Sequence, residues 1–289
     1  MNANDILSEA NNSKNNIITF NNKKVNNEKI HLISVIIPLY NEQNTIQHVI
    51  KKIPNHHSYE IIIVDDGSTD DSIKKVKEIK DKEIKIVNHK QNQGYGAAIL
   101  TGISHSLGDI IITLDSDGQH NPEEIPNLTK LIINNQADIV IGSRYLGMCH
   151  YKIPLYTRVG EYIINLFLKI LFLQNVYDNQ CGFRAFRKEL SKILKNMRNT
   201  GMGFSTEFLF KAALYQYKIV ETPVSINPRH FGTSHVNLIE IIRSIIFCII
   251  FSIFRKLKLN LNWVYLKKII NYFYKKIKNR KLFFKEIKK

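Results

Sequence analysis

Short apolar runs alternate with longer segments of helical periodicity between residues 31 and 141. The runs are rich in Ile and Val on both faces, as buried parallel strands are. They cover 31–37, which Pro38 is expected to end, 61–64, 84–87, 110–114 and 138–141. Helices are predicted at 41–52, 70–80 and 94–107 and after Pro122. This alternation predicts an α/β fold with a mostly parallel sheet, whose ligands bind beyond the carboxyl ends of the strands.

The pattern is less regular after residue 141. It predicts helices at 156–173 and 205–217, a polar loop at 178–187, and a late strand at 219–226 that Pro223 breaks. Residues 237–257 have a helical and very apolar pattern. Their uninterrupted apolar run, 244–254, is shorter than the roughly 20 residues that cross a bilayer. We therefore expect a helix that lies in the membrane surface.

Composition divides the chain into three parts. The first 30 residues are Asn-rich and aperiodic, and we expect a disordered arm there. Residues 31–236 hold the strand and helix pattern of one large domain, and 237–289 hold the interfacial helix and a basic tail. With 289 residues and 44% hydrophobic composition, the chain can bury a full core in that single domain.

The net charge of +16 is concentrated in the tail. Residues 255–289 carry thirteen Lys or Arg and one Glu, which gives +12 and leaves +4 for the rest of the chain. Such a tail suits an anionic membrane surface or a nucleic acid, and the apolar helix before it favours the membrane. The cysteines are scattered and the chain starts without a signal-like segment. We therefore expect a peripheral or monotopic protein on the cytoplasmic face of a membrane, with no nucleic-acid partner.

An acidic loop follows the fourth predicted strand. Asp115 and Asp117 stand two residues apart there, and Gln119 adds an amide oxygen. Oxygen ligands of this kind suit Mg²⁺ or Mn²⁺, which share their shell with substrate phosphates. The position at the binding edge of a parallel sheet favours a metal site over a solvated turn.

Two other loops offer groups for a nucleoside. Asp66 follows the second strand and can accept a hydrogen bond from a nucleobase N–H, although its loop also starts a helix. The loop 38–42 offers a rigid turn, a stacking ring and an acceptor. Neither GxxxxGK[ST] nor a GxGxxG after the first strand is present, which argues against a P-loop or Rossmann enzyme.

Eight segments, in order over residues 33 to about 236, resemble the family 2 glycosyltransferases of the GT-A fold. They are IPLYNE (37–42), VDDGS (64–68), NQGYGA (92–97), LDSDGQ (114–119), GSRY (142–145), CGFRAF (181–186), GFSTE (203–207) and RHFGTS (229–234). The fifth, sixth and eighth segments are similar to the dolichyl-phosphate mannosyltransferase and polyprenyl-phosphate glycosyltransferase branch.

The resemblance implies a role for each matching residue. The nucleoside would be bound by Pro38, Tyr40, Glu42, Val64 and Asp66. The diphosphate and its metal would be held by Asp115, Ser116, Asp117 and Gln119, with Asp117 and Arg229 acting in catalysis. Arg144 and Arg229 would meet phosphate or sugar oxygens. His235 stands where the branch usually has Lys, so phosphate binding there would depend on pH.

The implied reaction is an inverting transfer of one sugar from a GDP- or UDP-linked donor to a polyprenyl or dolichyl phosphate. Two alternatives remain. A hydroxyl acceptor in glycan synthesis would require a carboxylate base, for which Glu207 is the first candidate. A basic nucleic-acid-binding protein would use the tail instead. Arg184 and Arg187 are either partners of an acceptor phosphate or structural ion pairs.

Overall fold

The computed structural model describes residues 31–229, apart from 56, 57, 152, 195, 196, 198, 199 and 202, together with positions 246 and 250. The strands are β1 (Ile33–Leu39), β2 (Tyr59–Asp65), β3 (Ile84–Asn88), β4 (Ile110–Thr113), β5 (Ile139–Ser143), β6 (Arg184–Arg187) and β7 (Ile219–Pro223). The α-helices are α1 (Ile46–Lys52), α2 (Ser72–Lys77), α3 (Tyr95–His105), α4 (Ile125–Ile133), α5 (Leu155–Phe172), α6 (Ser191–Leu194) and α7 (Phe204–Leu214). Short 3₁₀ turns, Pro122–Glu124 and Lys188–Leu190, precede α4 and α6.

The strands form one seven-stranded sheet in the order β3-β2-β1-β4-β6-β5-β7. The pairs among β1, β2, β3 and β4 are parallel, as is the pair β5 with β7. Only β6 runs antiparallel to its neighbours β4 and β5. The prediction of a mostly parallel α/β sheet is therefore confirmed, with strand positions correct to within a few residues.

The predicted polar loop at 178–187 is wrong in its second half, which forms β6. The sequence of this strand, Arg-Ala-Phe-Arg, has a charged residue at each end and so does not look like a buried strand. Arg184 is nonetheless buried, because its guanidinium donates hydrogen bonds to backbone carbonyls of residues 179, 181 and 205. Arg187 pairs with Asp138, so both arginines have structural partners.

Pro38 does not end the first strand but lies within β1, opposite Val64 of β2. The pairing of β1 with β4 stops at Ile36, two residues earlier. The missing N–H of Pro38 therefore removes no hydrogen bond from that side of the sheet. The strand extends to Leu39 and carries the loop that follows it over the carboxyl edge.

The core lies on both faces of the sheet, with β1, β2, β4 and β5 almost entirely buried. The loops after these four parallel strands lie at the carboxyl edge of the sheet. Strand β6 runs in the opposite direction. No helix in the described part of the chain is long and apolar enough to span a bilayer. The predicted arm 1–30, and the interfacial helix and basic tail at 237–289, lie outside the residues described as continuous structure.

Candidate active site

A pocket of about 910 Å³ lies at the carboxyl edge of the sheet. It is lined by ten of the predicted site residues: Pro38, Tyr40, Glu42, Asp66, Asp115, Ser116, Asp117, Gln119, Arg144 and Arg229. Val64 is not among the lining residues, because its side chain is fully buried in the core. His235 lies outside the described residues. The volume is in the range of sites for small molecules and cofactors.

Asp115 lies directly after Leu114, which follows β4, and one of its carboxylate oxygens has no partner. Oδ1 is buried and accepts no hydrogen bond from the described residues. Oδ2 lies 3.9 Å from Nδ1 of His120. Burial raises the pKa of Asp115, an effect that His120 and the neighbouring Tyr95 hydroxyl partly offset by favouring the ionised carboxylate. A buried carboxylate oxygen without a donor fits a cation ligand, since a cation would stabilise the ionised form.

The position of the Asp115 carboxylate depends on a glycine in a neighbouring segment. A Cβ atom at Gly182 would lie 2.2 Å from Oδ2 of Asp115, so only glycine leaves the carboxylate in place. The carbonyl of Gly182 accepts a hydrogen bond of 2.6 Å from Oγ1 of Thr113 in β4. The segment before β6 therefore forms one wall of the acidic loop.

Asp117 faces an arginine that approaches from the other end of the chain. Oδ2 of Asp117 lies 3.8 Å from Nη1 of Arg229, and Nη2 of the same guanidinium pairs with Oε1 of Glu42. Burial raises the pKa of Glu42, while Arg229 and a hydrogen bond from Thr45 lower it. The Arg229 guanidinium thus lies between two carboxylates that line the pocket.

Hydrogen bonds hold these loops together. Oγ1 of Thr45 donates to the carbonyl of Ser116 over 2.8 Å, which joins the start of α1 to the acidic loop. The amide of Gln119 donates to the carbonyl of Asn227, and the backbone N–H of Asn227 donates back to the carbonyl of Gln119. The two hydrogen bonds between Gln119 and Asn227 keep Arg229 next to the acidic loop.

Asp66, the predicted nucleobase acceptor, is fixed by three partners. Its Oδ1 lies 2.7 Å from Nδ1 of His89 and accepts from the backbone N–H of Gln93. Its Oδ2 accepts from the N–H of Gly94, which has a φ of 101° that favours glycine. Oδ2 therefore retains capacity for one more donor, such as a base N–H.

Arg144, predicted to meet phosphate, lines the pocket but is held by two buried carboxylates. Its Nε and Nη2 donate to Asp178 over 2.8 and 2.7 Å, and Nη2 also donates to Glu161 over 3.0 Å. Its Nη1 donates to the hydroxyl of Tyr151. Glu161 also accepts a hydrogen bond from Tyr145. Asp178 and Glu161 therefore fix the guanidinium within the pocket wall.

Glu207, the candidate base for a hydroxyl acceptor, is buried and pairs with Lys211 one turn further along α7, over 2.9 Å. It is not among the residues that line the pocket. Its carboxylate therefore forms an ion pair within α7 and is not part of the pocket lining.

The sequence interpretation assigned no individual role to five residues near the pocket: Tyr95, His89, His120, Asp178 and Glu161. His120 follows the acidic loop directly, and its Nε2 contacts Sγ of Cys181 at 3.3 Å. Glu161 is the only acid in a helix rich in large apolar residues, a pattern that indicates a buried partner. The partners of Glu161 are distant from it in sequence, so the pattern indicates an unusual acid but not the residues that contact it.

No group of three His, Cys, Asp or Glu side chains within the described ranges is arranged to hold a metal unaided. The predicted set of Asp115, Asp117 and Gln119 contains two carboxylates and one amide, all lining the same pocket. Such an open set suits Mg²⁺ or Mn²⁺, since these ions keep positions for water and substrate phosphates.

Known proteins are similar to this chain in sequence. The sequence matches glycosyl transferase family 2 over residues 34–194. It is 35% identical over 212 residues to the UDP-N-acetylglucosamine–dolichyl-phosphate N-acetylglucosaminyltransferase of Methanococcus voltae, covering 67% of this chain and 84% of that protein. It is 32% identical over 212 residues to the dolichol-phosphate mannosyltransferase of Pyrococcus furiosus, covering 70% of this chain and 58% of that protein.

A solved structure shares the fold. The glucosyl-3-phosphoglycerate synthase of Mycobacterium tuberculosis, crystallised with Mn²⁺, UDP-glucose and phosphoglyceric acid, aligns with a TM-score of 0.60 at 22% identity. The alignment covers 76% of this chain and 80% of that one. Fold and pocket together define a glycosyltransferase of the GT-A type. The chain belongs to glycosyl transferase family 2, and it is a hexosyltransferase.

Proposed function

We propose that this enzyme transfers one sugar from a nucleotide-sugar to a polyprenyl or dolichyl phosphate, with Mg²⁺ or Mn²⁺ bound at the acidic loop. The observation that carries the proposal is the placement of Asp115 and Asp117 in one pocket with Asp66 and Arg229. A diphosphate needs a cation beside such carboxylates, because charges of the same sign would otherwise repel it. The pocket therefore suits a nucleoside diphosphate with its metal.

The relatives support the acceptor. Those from Methanococcus voltae and Pyrococcus furiosus are named for dolichyl or dolichol phosphate. A third, the undecaprenyl-phosphate 4-deoxy-4-formamido-L-arabinose transferase of Klebsiella pneumoniae, is 30% identical over 218 residues, 73% of this chain and 64% of that protein. All three names specify a polyprenyl phosphate, while the sugar differs among them. The acceptor class carries over to this chain more readily than the sugar does.

The transfer reaction requires mainly that the protein bind the donor and align the acceptor phosphate with it. The second pKa of a phosphate monoester is about 6, so the acceptor is already a dianionic nucleophile near neutral pH. Asp115, Asp117 and Gln119 would hold the cation, which stabilises the leaving diphosphate when bound. Asp66 would bind the base, and Arg229 would neutralise charge beside Asp117. Attack from the opposite side would invert the anomeric centre.

A panel of radiolabelled GDP- and UDP-sugars with dolichyl phosphate, followed by lipid extraction, tests this function. We expect label in the lipid phase with one donor, in the presence of Mg²⁺ or Mn²⁺. Soluble sugars in place of dolichyl phosphate should give no product. Transfer to a soluble hydroxyl acceptor with none to the lipid would instead support the glycan-synthesis alternative.

Replacing Asp117 tests the metal assignment. Asp117→Asn should lower turnover by several hundredfold or more, since metal-centred charge stabilisation contributes several kcal/mol. The control is Asp109→Asn at the opposite edge of the sheet, where the Asp109 side chain is 52% exposed. Full turnover in EDTA, or a wild-type rate for Asp117→Asn, would contradict the assignment.

The membrane setting is part of the proposal. A polyprenyl phosphate resides in a bilayer, and nucleotide-sugars are aqueous, so the enzyme must work at the interface between the two. The basic tail at 255–289 would attract anionic lipid, each Lys or Arg near the surface contributing about 1 kcal/mol. We propose a peripheral or monotopic enzyme on the cytoplasmic face.

A further inference from the structure

Helix α5 exposes a continuous apolar face. Within the catalytic domain, the outward side chains of this helix include seven large apolar residues: Leu155, Val159, Tyr162, Ile163, Leu166, Ile170 and Leu173, the last being its C-cap. Their spacing of three, four and seven residues places them on one side of the helix. The opposite side is buried through Glu161, Ile164 and Leu168. The helix is therefore packed on its inner side and still exposes large apolar side chains on its outer side.

This arrangement differs from that of an ordinary surface helix, whose outer face is polar. The exposed charges of α5 are Arg158 and Lys169, and both are basic. Its one acid, Glu161, points inward to Arg144 and Tyr145. The outer face thus combines apolar side chains, a tyrosine and positive charge without negative charge. This combination is typical of helices that lie in an anionic membrane surface.

The buried side of the same helix forms a wall of the pocket. Thr157, Gly160, Glu161 and Ile164 all line it. A surface bound to the outer face of α5 would therefore lie one helix diameter from the pocket, about 10 Å. A lipid phosphate at that surface would need to move only a short distance to enter.

We propose that the outer face of α5 binds an anionic phospholipid surface and so holds the pocket at the bilayer. Charge complementarity and the shared helix select this partner. The 18 residues of α5 extend about 27 Å along the surface, and their packed inner side keeps the helix from spanning it. The inference rests on the proposed function for its purpose, but the binding itself is measurable without turnover.

Single charges introduced into the face test the binding. Full-length Ile170→Glu and Val159→Glu should bind vesicles of phosphatidylcholine and phosphatidylserine at least about tenfold more weakly than wild type, since each loses one exposed apolar side chain that would be buried in the lipid. The matched control is Leu107→Glu, in the loop between α3 and β4 at the opposite edge of the sheet. Leu107 is 72% exposed and Ile170 63%. The control should bind as wild type does.

Depth can be measured directly with a tryptophan on this face. Tyr162→Trp in a Trp263→Phe background should be quenched by lipids brominated in the acyl chain, because residue 162 would lie below the headgroups. A tryptophan at position 107 in the same background should not be quenched. Equal quenching at the two positions would overturn the proposal.

Other occupants of the face give different results. If a second copy covers it, light scattering will show a wild-type dimer that Ile170→Glu converts to a monomer, with vesicle binding unchanged. If residues 237–257 of the same chain cover it, Ile170→Glu will lower the melting temperature and leave vesicle binding unchanged. Either result overturns the proposal. Wild-type vesicle binding through α5 without transfer to dolichyl phosphate would instead refute the proposed function. It would still support the binding of α5 to a lipid surface.

Discussion

Two buried carboxylates around one guanidinium make Glu161 an unusual acid. Asp178 and Glu161 both contact Arg144, so the cluster has one negative charge in excess when all three are ionised. Burial raises the pKa of Glu161 to about 7, against the attraction of Arg144 and the hydrogen bond from Tyr145. The proton that relieves the excess charge is therefore bound more tightly in the native state than in the unfolded chain.

This proton links folding to pH. The pKa of Glu161 is higher in the native protein than the ordinary value near 4.3, so its contribution to stability is complete below about pH 4.3 and is lost as pH rises to about 7. In wild type, we expect the free energy of unfolding to decrease by on the order of 2 kcal/mol between pH 5 and 7.5. We predict that this decrease is absent in Glu161→Gln. Urea denaturation of wild type and variant at both pH values measures it.

The control for this prediction is Glu83→Gln, at an exposed position in the turn before β3. It should leave the difference between pH 5 and pH 7.5 as in wild type. Parallel pH profiles for wild type and Glu161→Gln would show that Glu161 does not carry the proton. Since the variant keeps an oxygen for Arg144, loss of folding is not expected.

Among the elements, β6 and the segment before it shape the site most. Gly182 leaves room for the Asp115 carboxylate, and no larger residue fits without moving it. We predict that Gly182→Ala lowers sugar transfer by about a hundredfold or more, because a displaced Asp115 carboxylate would hold the proposed cation less well and so weaken stabilisation of the leaving group. The melting temperature should change little, since the displaced group is the end of a side chain. Initial rates over a Mn²⁺ titration and a thermal melt measure both.

A second glycine provides the comparison. A Cβ atom at Gly160 in α5 would meet nothing within 4 Å. Gly160→Ala should therefore stabilise the protein by about 0.5–1 kcal/mol, the usual gain in a helix interior. If Gly182→Ala lowers stability as strongly as activity, the wall formed by residue 182 is needed for folding and not specifically for the acidic loop.

For the molecule as a whole, ligand binding should couple to stability. The loops that would hold the donor come from four strands and from residues 225–229, so a bound nucleotide ties distant parts together. We predict that UDP or GDP with Mn²⁺ at 100 times the dissociation constant stabilises the protein by about 2.7 kcal/mol. For a chain of this size the melting temperature should rise by about 5–10 °C.

The metal dependence of the rise in melting temperature tests whether the acidic loop takes part in nucleotide binding. EDTA should abolish most of it, and Asp117→Asn should show only the smaller shift given by nucleotide alone. A full shift for the variant with Mn²⁺ would mean that the nucleotide binds without the acidic loop. Comparing UDP with GDP in the same melt would also indicate which base the site around Asp66 accepts.

Local pattern by itself determined the α/β class, the parallel strands and the loops that line the pocket. These features repeat at short range: β-branched runs, helical periodicity, and polar residues where a strand ends. That Asp66, Asp115 and Asp117 would lie at one pocket was predictable because the carboxyl ends of parallel strands share one edge of the sheet. Resemblance to a family added Arg144 and Arg229, which no local pattern marks.

Only the tertiary structure decided which side chains meet. Arg184 looked like a loop residue, yet backbone carbonyls that are close only in the folded chain allow β6 to be buried there. Glu161, Arg144 and Asp178 form their cluster across three segments, as do Glu42, Arg229 and Asp117. The apolar outer face of α5 was also decided at this level. A sequence shows that a helix is apolar, but which side remains exposed depends on what the rest of the chain packs against it.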